Sequence, residues 1–170
     1  MKIKFKKKYA ILTNSWTNGL ITILLSLNLK PDDEIIIPAC TFVACANVIE
    51  MVGAKVVFAD IDPQTKLMDI NDCISKITKK TKAIMPVHVN GRICNMIEIL
   101  KISKKYKLKV IEDGAQSIGA KFKDFSTGYY GDCATISFYP AKVLGCFGDG
   151  GAIVTNKKNI YKKLYQLRDH

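Results

Sequence analysis

Met96-Ile97-Glu98-Ile99-Leu100-Lys101-Ile102-Ser103-Lys104-Lys105-Tyr106 carries an amphipathic helical pattern. Directly behind it, the apolar run Leu108-Lys109-Val110-Ile111 ends in Glu112-Asp113-Gly114-Ala115-Gln116. A helix pattern that feeds into a near-continuous hydrophobic strand is the building unit of a mostly parallel sheet covered on both faces. Outward from this stretch the same alternation fills the chain. The strand candidates are Tyr9–Thr13, Glu34–Ile37, Lys55–Phe58, Ala83–Val87, Lys109–Glu112, Ala134–Phe138 and Ala152–Thr155. The helix candidates are Thr17–Leu29, Phe42–Val52, Ile70–Lys76, Met96–Tyr106 and Lys158–Leu167. Turn signals separate them at Pro31-Asp32-Asp33, Asp62-Pro63 and Asn90-Gly91. No repeat or low-complexity linker divides residues 1–170, so the expectation is one α/β domain with helices on both faces of a mostly parallel sheet.

At 170 residues the chain is long enough for a substantial core, and 48% hydrophobic with 24% charged residues is the balance of a globular protein. No apolar run approaches the ~18 residues of a membrane span, and Tyr9–Trp16 is too short and polar for a signal-peptide core. A cytoplasmic protein without a membrane partner is the expectation. The formal net charge of +11 invites a nucleic-acid reading, but only Arg92 and Arg168 among the 26 basic residues are arginine. The lysines are scattered and no helix carries a dense basic stripe, so a solvated surface is preferred. A basic nucleic-acid-binding protein stays as a remote alternative. Lys2–Lys8, the densest cluster, reads as a frayed basic end. Cys40, Cys45, Cys73, Cys94, Cys133 and Cys146 form no C-x-x-C pair and read as small hydrophobes. With only His88 and His170 to assist, no metal site is expected.

Open α/β sheets bind ligands beyond the carboxyl ends of their strands. The chemically suggestive residues fall there: Ser15-Trp16-Thr17, Pro38 to Phe42, His88, Asp113 to Gln116, Ser137 and Lys142. Lys142 stands apart from the other lysines because the apolar strand ending Ser137-Phe138-Tyr139-Pro140-Ala141 delivers it into a turn rich in glycine (Gly145, Gly148, Gly150, Gly151). A buried amine facing the strand-end carboxylate of Asp113 is what pyridoxal 5'-phosphate chemistry requires: a Schiff-base lysine and a partner for the pyridinium nitrogen. Read alone, Asp113 is more simply a capping residue at a strand-to-helix turn, and the pairing with Lys142 reverses that order. Gln116 is placed to donate to the cofactor's phenolic oxygen or is an exposed turn residue. Thr17 opens a helix capped by Ser15, which makes either a phosphate site or a plain cap. Ser137 adds a hydroxyl to the same phosphate. Phe42 is a platform for the pyridine face or a core aromatic. His88 faces substrate or, slightly preferred, is a satisfied core histidine. Neither dinucleotide nor P-loop spacing occurs among the glycines.

Taken together, these segments resemble the nucleotide-sugar aminotransferases of the DegT/DnrJ/EryC1/StrS family, which have the fold-type-I architecture. The likeness rests on Asp33 through Ala44 (DEIIIPACTFVA), Val56 through Pro63 (VVFADIDP), Pro86-Val87-His88, Val110 through Ser117 (VIEDGAQS) and Ser137 through Gly151 (SFYPAKVLGCFGDGG). The resemblance implies that Lys142 forms the Schiff base and moves the proton, and that Asp113 pairs with the ring nitrogen. It further implies Gln116 at the phenolic oxygen, Thr17 and Ser137 at the phosphate, and Phe42 against the ring, with Trp16 beside the phosphate threonine where the family has a small residue. In some relatives a histidine replaces this lysine and the reaction becomes sugar dehydration, so Lys142 favours transamination. The implied reaction moves an amino group from glutamate to a nucleotide-linked keto-deoxysugar for polysaccharide or glycan biosynthesis, in a homodimer. The resemblance also implies that the family's N-terminal segment and C-terminal small domain lie outside this chain. The alternative function is therefore a catalytically incompetent fragment, or one half of a split enzyme that assembles with a separately encoded C-terminal half.

Overall fold

In the computed structural model, which describes residues 6–169, strand and helix alternate as the hydrophobic pattern predicts. The strands are β1 (Tyr9–Thr13), β2 (Glu34–Pro38), β3 (Lys55–Ala59), β4 (Thr81–Ile84), β5 (Lys109–Asp113), β6 (Lys121–Phe122), β7 (Phe125–Ser126), β8 (Cys133–Ser137) and β9 (Gly151–Thr155). The helices are α1 (Trp16–Ser26), α2 (Ala44–Met51), α3 (Ile70–Ser75), α4 (Met96–Tyr106) and α5 (Lys158–Asp169). Seven strands form one sheet in the order β1-β9-β8-β5-β4-β2-β3, and β6 and β7 form a separate small hairpin. The pairs from β3 across to β8 are parallel, while β9 runs antiparallel to both β8 and β1. The sheet is therefore mostly parallel with one antiparallel edge.

Alternation along each strand divides the core in two. Ile35, Ile37, Ala83, Met85 and Ile111 pack with Leu20, Ile23, Leu24 and Leu164 on one face. Ile36, Ile84 and Val110, the intervening residues, pack with Cys73, Met96, Ile99 and Ile102 on the other. Residues on both faces are buried, which is why these strands read as unbroken apolar runs. Each fully buried isoleucine or leucine contributes about 1.5–3 kcal/mol. An exposed pair such as Lys101–Glu98, at 2.8 Å, contributes about 1 kcal/mol at most. Burial thus decides the fold, and the surface charges accompany it.

Helix starts follow their sequence signals. Ser15 Oγ accepts the Asn18 N–H at 3.1 Å, and Asp69 accepts from Asn71 and Asp72 at 2.7 and 3.0 Å. Departures from the sequence expectation have local causes. The run expected as Ala83–Val87 is regular only over Thr81–Ile84, because Pro86 has no N–H for the ladder. It continues as a bridge between Val87 and Asp113, with Pro86 O accepting the Asp113 N–H at 2.9 Å. Phe42 and Val43, expected in a helix, precede α2 and are exposed. The β6–β7 hairpin has strands of two residues, too short to leave a periodic signal. The basic end is not frayed over its described part. Lys7 is buried and donates to Gly131 O at 3.2 Å, with its amine pushed down by burial against the pull of Glu112. Lys2 to Phe5 and His170 lie outside the described residues.

Glu112 is fully buried at the centre of the sheet. Its Oε2 lies 3.1 Å from His88 Nε2 and accepts the Gly128 N–H at 2.8 Å, and its Oε1 accepts the Gly131 N–H. Burial pushes this carboxyl up, but the His88 ring and the two amides outweigh it and hold Glu112 below its ordinary value. His88 is thus the buried core histidine. A carboxyl lowered in the folded state stabilises the fold above its unfolded pKa of about 4.3, and that contribution is lost as pH falls through the folded value. We expect Glu112→Ala to cost about 3–5 kcal/mol at neutral pH, as loss of one partner of a buried pair does. Urea unfolding at pH 7 and pH 4 checks this, and the gap between wild type and variant should narrow at the lower pH.

Candidate active site

The strand directions bring one set of loops to a single end of the sheet. Because β9 is antiparallel to both neighbours, its first residue, Gly151, pairs with the last residue of β1, Thr13, and the last of β8, Ser137. The start of α1, which follows β1, therefore lies beside the end of β8. Asp113, the last residue of β5, pairs with Thr135 one strand further in. A cleft of about 390 Å³ opens above these strand ends. Lys142, Asp113, Gln116, Ser137, Thr17, Trp16 and Phe42, the seven residues named above in connection with the cofactor, line it, whereas His88 does not. Ser15, Ala115, Tyr139, Ala141, Asp149 and Gly150 complete the wall.

Gly151 sets how close the pieces come. A Cβ at this position would sit 2.5 Å from the Ser15 carbonyl and 2.6 Å from the Trp16 nitrogen, both backbone atoms that cannot step aside. The start of α1 thus rests directly on β9. Its first N–H groups lack intrahelical partners and carry the positive end of the helix dipole, with the Thr17 hydroxyl alongside. Ser137 is buried, and its Oγ accepts the Tyr139 N–H at 3.3 Å. This end of the cleft is built to take an anion.

Asp113 forms the floor and is only 2% exposed. No helix follows it, so the reading as a cap at a strand-to-helix turn does not hold. The chain turns at Gly114, where a Cβ would meet Thr127 Cγ2 at 2.5 Å. Asp113 Oδ1 accepts the Ala115 N–H at 2.9 Å and the Trp16 indole N–H at 3.0 Å, and Oδ2 takes the Cys45 thiol at 3.3 Å. Burial is the largest influence on this carboxyl and raises it, the donors only partly opposing. The Cys45 thiol is in turn pushed up by burial and by Asp113, so it stays protonated and donates. Lys142 is half-buried rather than buried, in a turn closed by its own N–H on Tyr139 O at 2.8 Å and by Cys146 N–H on Phe138 O at 2.8 Å. Gly145 lets the turn close, since a Cβ there would lie 2.4 Å from Pro140 O.

Gln116 Oε1 accepts the Asn90 N–H at 3.0 Å, which commits its oxygen and leaves its NH₂ as a donor. Phe42 is 62% exposed, with its ring 6.5 Å from the Trp16 indole, so it is a free aromatic face and not a core residue. Two contacts had no sequence signal. Cys45 reads as one more apolar helix residue, and nothing in the chain order pairs the Trp16 indole with Asp113, 97 residues away. The set comprises an amine, a buried carboxylate, an anion-binding helix start, an amide donor and an open aromatic face. It fits a flat phosphorylated ring that carries a carbonyl and a basic nitrogen.

The model of the DegT/DnrJ/EryC1/StrS aminotransferase family matches residues 2–170. GDP-perosamine synthase of Caulobacter vibrioides is 41% identical over 161 residues, which are 95% of this chain and 43% of that protein. An aminotransferase from Psychrobacter cryohalolentis superposes with a TM-score of 0.97 at 34% identity, over 99% of this chain and 43% of that one. NtdA from Bacillus subtilis, solved with bound cofactor PMP, superposes at 0.91 with 40% identity, over 97% and 37% of the two chains. The chain spans less than half the length of these relatives.

Two substitutions test the geometry without any ligand. A carboxyl raised in the folded state weakens the fold as pH rises through the interval above about 3.9, because the folded form then gives up the proton it holds more tightly. Asp113→Asn should therefore raise the thermal midpoint at pH 7 by about 2–4 °C, the shift that ~1 kcal/mol produces at this size. Gly151→Ala should lower it by more than that, since backbone must move. Differential scanning calorimetry of the ligand-free chain reads both.

Proposed function

The chain belongs to the DegT/DnrJ/EryC1/StrS aminotransferase family, and on that premise we propose that it is the cofactor-binding part of a pyridoxal phosphate-dependent nucleotide-sugar aminotransferase. The single observation that carries the reading is the convergence of Lys142 and Asp113 on one cleft whose far wall is a helix start. When bound, pyridoxal phosphate supplies an electron-withdrawing ring that lets an amino group leave one carbon and join another. The residues of this chain bind and orient that group and handle protons around it. Thr17, Ser137 and the first N–H groups of α1 would hold the phosphate. Asp113 would keep a proton on the ring nitrogen, and the positive charge there returns this carboxyl to its ionised form despite burial. Gln116 NH₂ would donate to the phenolic oxygen, and Phe42 would cover one ring face. Lys142 Nζ would hold the cofactor covalently, then carry the proton to and from the reacting carbon.

We take glutamate as the amino donor and a nucleotide-linked keto-deoxysugar as the acceptor, in the service of polysaccharide or glycan biosynthesis. Phe42 lines the cleft, and Val43, Val143, Leu144 and Phe147, close in the chain to Phe42 or Lys142, are exposed, the last wholly so. An apolar rim of this kind supports a second protein surface over the site, either a second copy of the chain or a separately encoded C-terminal half. Among the described residues no helix is long and apolar enough to cross a membrane.

Addition of pyridoxal phosphate to the purified chain should produce yellow absorbance, and borohydride should fix the cofactor on Lys142 in a peptide map. Lys142→Ala should show neither. Glutamate should bleach the yellow form, and aspartate should not. Labelling of another lysine, or no coloured species, refutes the cofactor assignment.

A further inference from the structure

The two oxygens of the carboxylate at the floor of the cleft are unequally filled. Each offers about two acceptor positions. Asp113 Oδ1 fills both, with the Ala115 N–H at 2.9 Å and the Trp16 indole N–H at 3.0 Å. Among the described residues Oδ2 has a single donor, the Cys45 thiol at 3.3 Å, so one position on it stays open. Asp113 lines the cleft, and a ring N–H that reaches this carboxylate is therefore received by Oδ2, the oxygen that the thiol already holds.

Cys45 is fully buried in the first turn of α2. The Thr41 hydroxyl donates to its Sγ at 3.0 Å, which leaves the thiol proton for Asp113. Hydrogen bonds in a chain polarise one another, so the Thr41 hydroxyl strengthens a donor that is weak on its own. The thiol keeps its proton because burial and the neighbouring carboxylate both push it up. It is thus a neutral donor, fixed by helix packing against the one carboxylate oxygen with room for a ligand. Burial raises Asp113, and the donors from Ala115 and Cys45, the His88 ring and the Trp16 indole oppose it. Lys142 shares the cleft with it, and Glu112, next to it in the strand, points to the opposite side of the sheet.

We propose that Cys45 is a positioning residue for the cofactor: through Oδ2 its thiol fixes the carboxylate against the ring nitrogen and grades how firmly that pair holds its proton. This rests on the pyridoxal phosphate reading above. The sign follows from charge. Asp113 and the ring nitrogen share one proton, and its loss leaves a net negative charge on the pair wherever the proton sat. A donor on Oδ2 stabilises that charge and lowers the pH of release. A hydroxyl, the stronger donor, keeps release as low or lower. Removal of the donor raises it by about half to one pH unit, the shift that one hydrogen bond produces. The same order holds for Asp113 in the ligand-free chain, whose ionised form carries the same charge.

The full chain is loaded with pyridoxal phosphate isotopically labelled at the ring nitrogen, and nitrogen NMR follows that proton as pH is raised. Carbon NMR of labelled aspartate reads Asp113 in the ligand-free chain. Cys45→Ala and Cys45→Val both remove the donor, one with a smaller side chain and one with a larger, and circular dichroism checks that each folds. Release should move up by about half a unit or more in both, and stay at or below the wild-type value in Cys45→Ser. A side chain that only filled space would group Cys45→Ser with Cys45→Ala, since these two are alike in size, and set Cys45→Val apart. That grouping, or release at the wild-type pH in a folded donorless variant, overturns the proposal while leaving the cofactor reading intact. Absence of a bound-cofactor signal in wild type overturns the cofactor reading and the proposal with it.

Discussion

Two carboxylates stand side by side at the end of the central strand, and the packing around them follows from the need to keep both buried. Successive residues of a strand face opposite sides of the sheet, so Glu112 and Asp113 point into separate environments. Burial of an ionised carboxylate costs several kcal/mol unless donors surround it. Glu112 meets that cost with His88 and the amides of Gly128 and Gly131. Asp113 draws on Ala115, Trp16 and Cys45. The turn at Gly114, the start of α1 and the loop from Gly128 to Gly131 are each positioned by one of these bonds.

The two acids have separate consequences. Glu112 is held below its ordinary value and behaves as a structural anion, closed away from the cleft. Asp113 is raised by its burial and is therefore the destabilised partner, poised to gain from a cation placed above it. Sites that bind charged groups often store instability of this sort, at some cost to the ligand-free fold. Adjacent positions in the chain thus divide between holding the sheet and serving the site.

Much of this was legible in the chain. The alternation of strand and helix, the mostly parallel sheet and the gathering of Lys142, Asp113, Gln116, Ser137, Thr17, Trp16 and Phe42 at strand ends all follow from apolar periodicity and from where the strands stop. Boundaries shifted where a local property overrode the pattern: Pro86 ended β4 early, and Phe42 stayed outside α2 as an open ring. Lys142 is half-buried where a buried amine was expected, because the turn that carries it projects from the sheet and does not lie within it.

What the sequence determined by itself is the order of elements and the identity of the groups at their ends, since both depend on neighbours within a few residues. Which of those groups share a partner is settled by how the elements pack. Trp16 and Asp113 are 97 residues apart, and Cys45 and Asp113 are 68 apart. No periodicity encodes such contacts. The Trp16 contact arises because β9 runs antiparallel between β1 and β8, placing Gly151 against both Thr13 and Ser137 and bringing the first helix down onto the carboxylate, and the Cys45 contact arises because α2 follows β2 on the other side of β5.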